Sequence, residues 1–87
     1  MISVVMPVFN SSKYLKKAIN SVINQTYNKW ELIIIDDNSA DNSRLIINKF
    51  AKKDKRIKPI FLKKNKGASN ARNKGIKKAK GKYVAFL

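Results

Sequence analysis

Leu32-Ile33-Ile34-Ile35-Asp36-Asp37-Asn38-Ser39 is an unbroken apolar run that stops on two adjacent carboxylates. A short run this apolar, dominated by isoleucine, fits a strand buried on both faces, as in a parallel sheet covered by helices. In open α/β sheets, ligands bind at the carboxyl ends of the strands. Asp36 and Asp37 therefore stand where such a fold does its work, and they are two of only five acidic residues in the chain.

Strands and helices alternate on either side of this run. Ile2–Met6 is a short apolar strand, and Pro7-Val8-Phe9-Asn10 turns out of it. Asn10, Ser11 or Ser12 offers a cap for a helix. In that helix Tyr14, Leu15, Ala18, Ile19, Val22 and Ile23 recur on one side, with Lys13, Lys16, Lys17 and Asn20 on the other. It ends near Asn24–Gln25, and Trp30–Ile35 is the second strand. The turn and cap residues 37–43 lead into a second helix whose apolar side is Leu45, Ile46, Ile47 and Phe50. Arg56–Leu62 is a third strand, and Pro59, which cannot donate to a ladder, puts it at an edge.

After the loop Lys63–Gly67, Ala68–Lys80 reads as a third helix that turns Ala71, Ile76 and Ala79 inward. Gly75 weakens its middle by about 1 kcal/mol relative to alanine. Gly81 is expected to stop it in left-handed conformation, and Lys82–Leu87 is a fourth strand. The order β-α-β-α-β-α-β defines the fold class as α/β and Rossmann-like, a mainly parallel four-stranded sheet flanked by helices over residues 1–87.

With 87 residues and no cysteine or histidine, disulfides, cysteine metal sites and histidine general bases are excluded. No segment approaches the roughly 20 apolar residues that span a bilayer. Met1–Pro7 lacks the basic region of a signal peptide, so a cytoplasmic protein is expected. The net charge of +15 is uneven: residues 1–50 carry +2 and residues 51–87 carry +13. Such asymmetry suits anionic partners. It is also what AT-rich codon usage produces, with lysines scattered over solvated faces. No aromatic platform is interleaved with the lysines of Lys52–Lys82, so specific nucleic-acid recognition is not expected. A non-catalytic basic module for nucleic acid or an anionic membrane surface is the alternative reading of this region.

The carboxyl ends of the first, second and fourth strands should lie side by side, with the Lys63–Ser69 loop able to close over them. This is a mononucleotide crevice, since neither a G-x-G-x-x-G nor a G-x-x-x-x-G-K-[ST] motif is present. Phe9 can pack its ring on a nucleobase or belong to the core. Asp37 can accept a hydrogen bond from a ring N–H such as that of uracil, or cap the following helix together with Asp36. Arg72 can reach a phosphate or the base with its fork of donors, or be one more solvated cation. The aspartate pair also permits a Mg²⁺ or Mn²⁺ reading, with no third ligand in view. Tyr14 and Phe50 read as core.

Several separated stretches, in order and in register, carry a resemblance. They are Val4-Val5-Met6-Pro7-Val8-Phe9-Asn10, Ile19-Asn20-Ser21-Val22-Ile23-Asn24-Gln25-Thr26-Tyr27, Trp30–Ser39, Asn65–Ile76 and Ala79–Leu87. Together they resemble the N-terminal portion of a family 2 glycosyltransferase.

The resemblance implies the A-type glycosyltransferase fold and a parent enzyme that moves a sugar from a nucleoside diphosphate, UDP above all, to an acceptor hydroxyl. The acceptor is a glycan or a lipid-linked acceptor, as in cell-surface polysaccharide synthesis. By the same resemblance the segment Pro7-Val8-Phe9-Asn10 lines the base pocket, with Phe9 in place of the usual tyrosine. Asp37 binds uracil, Asp36 supports the turn, and Gly67 and Arg72 meet the nucleotide. Asn38 replaces a common glycine, and asparagine also tolerates left-handed geometry. The family's Asp-x-Asp motif, which holds a divalent Mg or Mn, would follow Leu87, so the metal's ligands and the general base lie outside this chain. The 87 residues alone are then expected to be inactive. The resemblance also permits peripheral contact with the inner face of the cell membrane.

Overall fold

The structure is a computed structural model that describes all 87 residues. Its elements are β1 (Ile2–Val8), α1 (Ser12–Ile23), β2 (Trp30–Asp36), α2 (Ser43–Lys53), β3 (Ile57–Phe61), α3 (Ala68–Lys78) and β4 (Tyr83–Phe86). The strands form one parallel sheet in the order β3-β2-β1-β4. β2 is buried along its whole length, as its unbroken apolar run requires. β3 lies at one edge, where Pro59 pairs across from Ile34 without a penalty on the outer side. No helix is long and apolar enough to cross a membrane.

The period of two along each strand sorts the core onto two faces. Val4, Met6, Val8, Leu32 and Ile34 pack with Leu15, Ile19 and Val22 of α1 and Ile47 of α2. Val5, Ile33 and Ile35 face the other way and pack with Ala71 of α3. The buried stripe of α1 is narrower than its apolar side: Tyr14, expected in the core, is 67% exposed. Leu45 and Ile76, also expected inward, lie largely in solvent.

Two glycines play parts other than those expected. Gly75 sits where α3 presses on the sheet, and a Cβ there would meet Val5 Cγ1 at 2.5 Å and Ile35 Cδ1 at 2.7 Å. The loss in helix propensity is thus exchanged for close helix–sheet approach. Gly81 is not a left-handed stop: among the glycines only Gly67 has a positive φ. α3 ends at Lys78 and Ala79 is already extended. Gly81 is instead crowded, since a Cβ would fall 2.6 Å from Ser3 Oγ and 2.8 Å from the Met1 carbonyl.

That crowding belongs to a buried polar knot. Glu31, 1% exposed, accepts hydrogen bonds from Ser3 Oγ at 2.5 Å, Lys58 Nζ at 2.8 Å and the Lys80 backbone N–H at 2.6 Å. Ser3 Oγ in turn accepts from the Gly81 N–H at 2.7 Å. One carboxylate thus ties β1, β3 and the connection into β4. Burial alone would raise its pKa, but the bonds from Lys58, Ser3 and Lys80 outweigh it and hold Glu31 at about 2.

Candidate functional site

β1 delivers Pro7 and Val8 to the carboxyl end of the sheet, and Phe9 follows, 49% exposed and outside the core. Asn10 takes φ 47 and Asn38 takes φ 61, left-handed positions that asparagine tolerates. The two turns are tied to each other. Asn10 N–H donates to Ser39 Oγ at 2.9 Å, and Asn10 Oδ1 accepts from the Ala40 N–H at 2.8 Å.

The start of α1 is not capped by its own side chains. Asp41, from the β2–α2 turn, accepts from the Ser12 N–H at 3.0 Å and from the Ser43 N–H at 2.9 Å, so one carboxylate serves the starts of both helices. Hydrogen bonds from the Ser43 hydroxyl, with those of the Ser43 and Ser12 groups, outweigh desolvation and hold Asp41 well below the usual carboxylate range. The sequence hint was an aspartate two residues before a helix-starting serine. Its second partner, 29 residues away, left no local trace.

The adjacent aspartates have separate partners. Asp36 is fully buried, and its Oδ2 accepts from the Ser39 N–H and from Arg44 Nε, both at 2.9 Å. Asp37 points to the other side. Its Oδ1 accepts from the Lys66 N–H at 2.9 Å, and its Oδ2 from the Gly67 N–H at 2.8 Å. Asn65 Nδ2 adds a bond to the Asp37 carbonyl at 3.3 Å. Gly67 has φ 93 and ψ 164, open to glycine and strained for other residues, and this conformation turns its N–H onto Asp37.

A cleft of about 200 Å³ opens beside these groups. It is lined by Pro7, Val8, Phe9, Asp37, Arg72 and Leu87, with two alanines of α3 as its wall. It lies where the chain, having built β1, β2 and β3 in one direction, returns to place β4 on the other side of β1. This is the topological switch point of an open α/β sheet. Five of the seven residues singled out in the sequence share this cleft; Gly67 does not line it but braces Asp37, which does, and Asp36 does not line it and holds Ser39 and Arg44 instead.

The residues present do not fit a divalent metal. No three histidine, cysteine, aspartate or glutamate side chains cluster. Asp36 is paired with Arg44, and both oxygens of Asp37 already receive backbone donors. Arg44 and Asp41, which hold these turns in shape together with Asn10 and Ser39, were not among the residues singled out, because what each does depends on a partner beyond its local pattern.

Fold and cleft together define an open, parallel α/β domain of Rossmann-like type, with its concave site at the switch point. The crystal structure of S. aureus TarS 1-349 in complex with UDP has the same fold, with a TM-score of 0.90 at 34% identity over 99% of this chain and 26% of that one. The family profile described as Glycosyl transferase family 2 matches residues 3–87, and the chain belongs to that family. It is 42% identical over 87 residues to the putative teichuronic acid biosynthesis glycosyltransferase TuaG of Bacillus subtilis. It is 41% identical over 87 residues to the UDP-Glc:alpha-D-GlcNAc-diphosphoundecaprenol beta-1,3-glucosyltransferase WfgD of Escherichia coli. Both alignments cover all of this chain and 34% of the relative, so the chain spans about a third of their length.

Proposed function

We propose that the cleft holds the nucleoside part of a UDP-sugar, and that the chain is the donor-recognition segment of a glycosyltransferase acting in cell-surface polysaccharide synthesis. The observation that carries the reading is the convergence of Phe9, Asp37 and Arg72 on one cleft at the switch point. The exposed Phe9 ring offers a face on which a base can pack. Asp37 keeps lone pairs free beyond the two it gives to Lys66 and Gly67, enough to accept one uracil N–H. Arg72 brings a planar donor fork to the same space, suited to a phosphate or a base edge.

The UDP complex of TarS and the UDP-glucose donor in the name of WfgD support the choice of nucleotide. The diphosphoundecaprenol acceptor of WfgD supports a lipid-linked acceptor hydroxyl. A divalent Mg or Mn would neutralise the leaving diphosphate, held by ligands other than those of this cleft. Asp37 is the one carboxylate in the cleft and its part is base recognition, so the 87 residues bind donor without transferring sugar.

Only three of the twenty basic side chains are in ion pairs, and α1, α2 and α3 contain no acid. That surplus supports peripheral contact with an anionic membrane on the cytoplasmic side, where a lipid-linked acceptor would be met.

Calorimetric titration with UDP and with GDP tests the proposal. Expected are saturable binding of UDP, weaker binding of GDP, and loss of UDP affinity in Phe9→Ala and Arg72→Ala. No UDP binding at millimolar concentration, or equal affinity for both nucleotides, would remove the uracil site.

A further inference from the structure

Arg44, in the first turn of α2, lies outside every motif of the resemblance. Its Nε donates to Asp36 Oδ2 at 2.9 Å and its Nη2 to the Leu62 carbonyl at 2.6 Å. The guanidinium also stands 5.3 Å from the centroid of the Phe61 ring. One planar group thus grips the last residue of β2 and the first residue beyond β3. Leu62 opens the loop whose far end, Lys66-Gly67, gives both backbone N–H groups to Asp37. The loop is held at its start by the Leu62 N–H on the Asp36 carbonyl at 2.9 Å and, as the side-chain anchor, by Arg44, and at its end by Asp37. Asp37 and the alanine that follows Gly67 wall the cleft, whereas Arg44 does not line it.

We propose that Arg44 is a positioning residue for nucleotide recognition. It fixes the Leu62–Gly67 loop, through it the direction of the Asp37 carboxylate, and so sets the affinity of the cleft. The proposal rests on the nucleotide reading of the cleft given above. Arginine suits the task because Nε and Nη2 diverge within one rigid plane, one toward the Asp36 carboxylate and the other toward the Leu62 carbonyl. A lysine keeps the charge but concentrates its donors at one point on a flexible stem, and cannot hold both acceptors in that geometry.

Two measurements on the full chain decide it: amide hydrogen exchange at Lys66 and Gly67 without nucleotide, and calorimetric titration with UDP. They are compared in the unaltered chain, Arg44→Lys, Arg44→Ala and Arg56→Lys. Arg56 is the structural control. It bridges Asp54 and the Asn28 carbonyl in the same manner, but at the amino ends of β2 and β3, away from the cleft. In Arg44→Lys, exchange at Lys66 and Gly67 quickens and UDP affinity falls about tenfold, the scale of a displaced binding group. Arg56→Lys lowers the Tm and changes neither. Should Arg44→Ala fail to fold, Arg44→Lys carries the comparison. Unchanged exchange in Arg44→Lys, or an equal loss of affinity in Arg56→Lys, would overturn the role of Arg44. Failure of the unaltered chain to bind UDP would overturn the nucleotide reading alone, because the exchange measurement needs no ligand.

Discussion

Glu31→Gln removes one charge from the centre of the sheet and keeps the side chain's size. The carboxylate has two acceptor oxygens: Oε2 receives Ser3 and Lys80, and Oε1 receives Lys58. Glutamine offers one oxygen and one donor. Its best placement keeps the oxygen toward Ser3 and Lys80 and turns the NH₂ toward Lys58, whose side chain is 46% exposed and can swing into water. The loss is then one charge-assisted bond and the charge behind two others, about 2 kcal/mol.

A second route gives a similar figure. The fall from 4.5 to about 2 in the pKa of Glu31 corresponds to roughly 3 kcal/mol of linkage, and solvent screening at the half-exposed Lys58 reduces this to about 2 kcal/mol. The folded-state pKa is depressed, so this stabilisation is complete above the unfolded value of 4.5 and is lost as pH falls toward 2. Urea denaturation, followed by the fluorescence of the one tryptophan, Trp30, buried beneath Arg56, reads the effect directly. At neutral pH the variant should be less stable by about 2 kcal/mol, and the gap should shrink by more than half near about pH 3. A neutral-pH difference below about 0.5 kcal/mol, or a gap that ignores pH, would refute the account of the knot.

Three further outcomes follow from the glycines and from Asp37. Gly75→Ala should lower stability by up to about 2 kcal/mol in the same urea assay, since overpacking against Val5 and Ile35 exceeds the helix-propensity gain of about 1 kcal/mol. Gly67→Ala meets no atoms but must adopt φ 93, so it should cost about 1–3 kcal/mol and weaken UDP binding together. Asp37→Asn brings an amide donor against the Lys66 or Gly67 N–H. Faster exchange at those two amides and weaker UDP binding should appear together; retained UDP affinity would remove Asp37 from base recognition.

Much of the frame was legible in local pattern. Leucine and three isoleucines at four successive core positions mark a strand covered on both sides, Pro59 marks an edge, and Asn38 marks a left-handed turn. The expected errors came from following large apolar residues. In α3 the side that packs is Ala71 and Gly75, four residues apart, while the larger Ile76 lies about 100° around the helix and faces water. In α1 the buried stripe Leu15, Ile19 and Val22 leaves Tyr14 on its margin. Side-chain size announces hydrophobicity, but the distance to the sheet decides which size fits.

The order of residues alone determined the alternation of strands and helices and the end of the sheet at which ligands gather, and it offered Phe9, Asp37 and Arg72 as candidates there. These follow from periodicity and turn chemistry, which act over a few residues. Folding decided the rest: that Asp36 serves Arg44 while Asp37 serves Lys66 and Gly67, that Asp41 holds the start of a helix 29 residues earlier, and that Gly75 and Gly81 are points of close approach. Each of these is a contact between residues far apart in the chain. Its geometry is set by where the parallel strands bring their ends together, and no local pattern carries that distance.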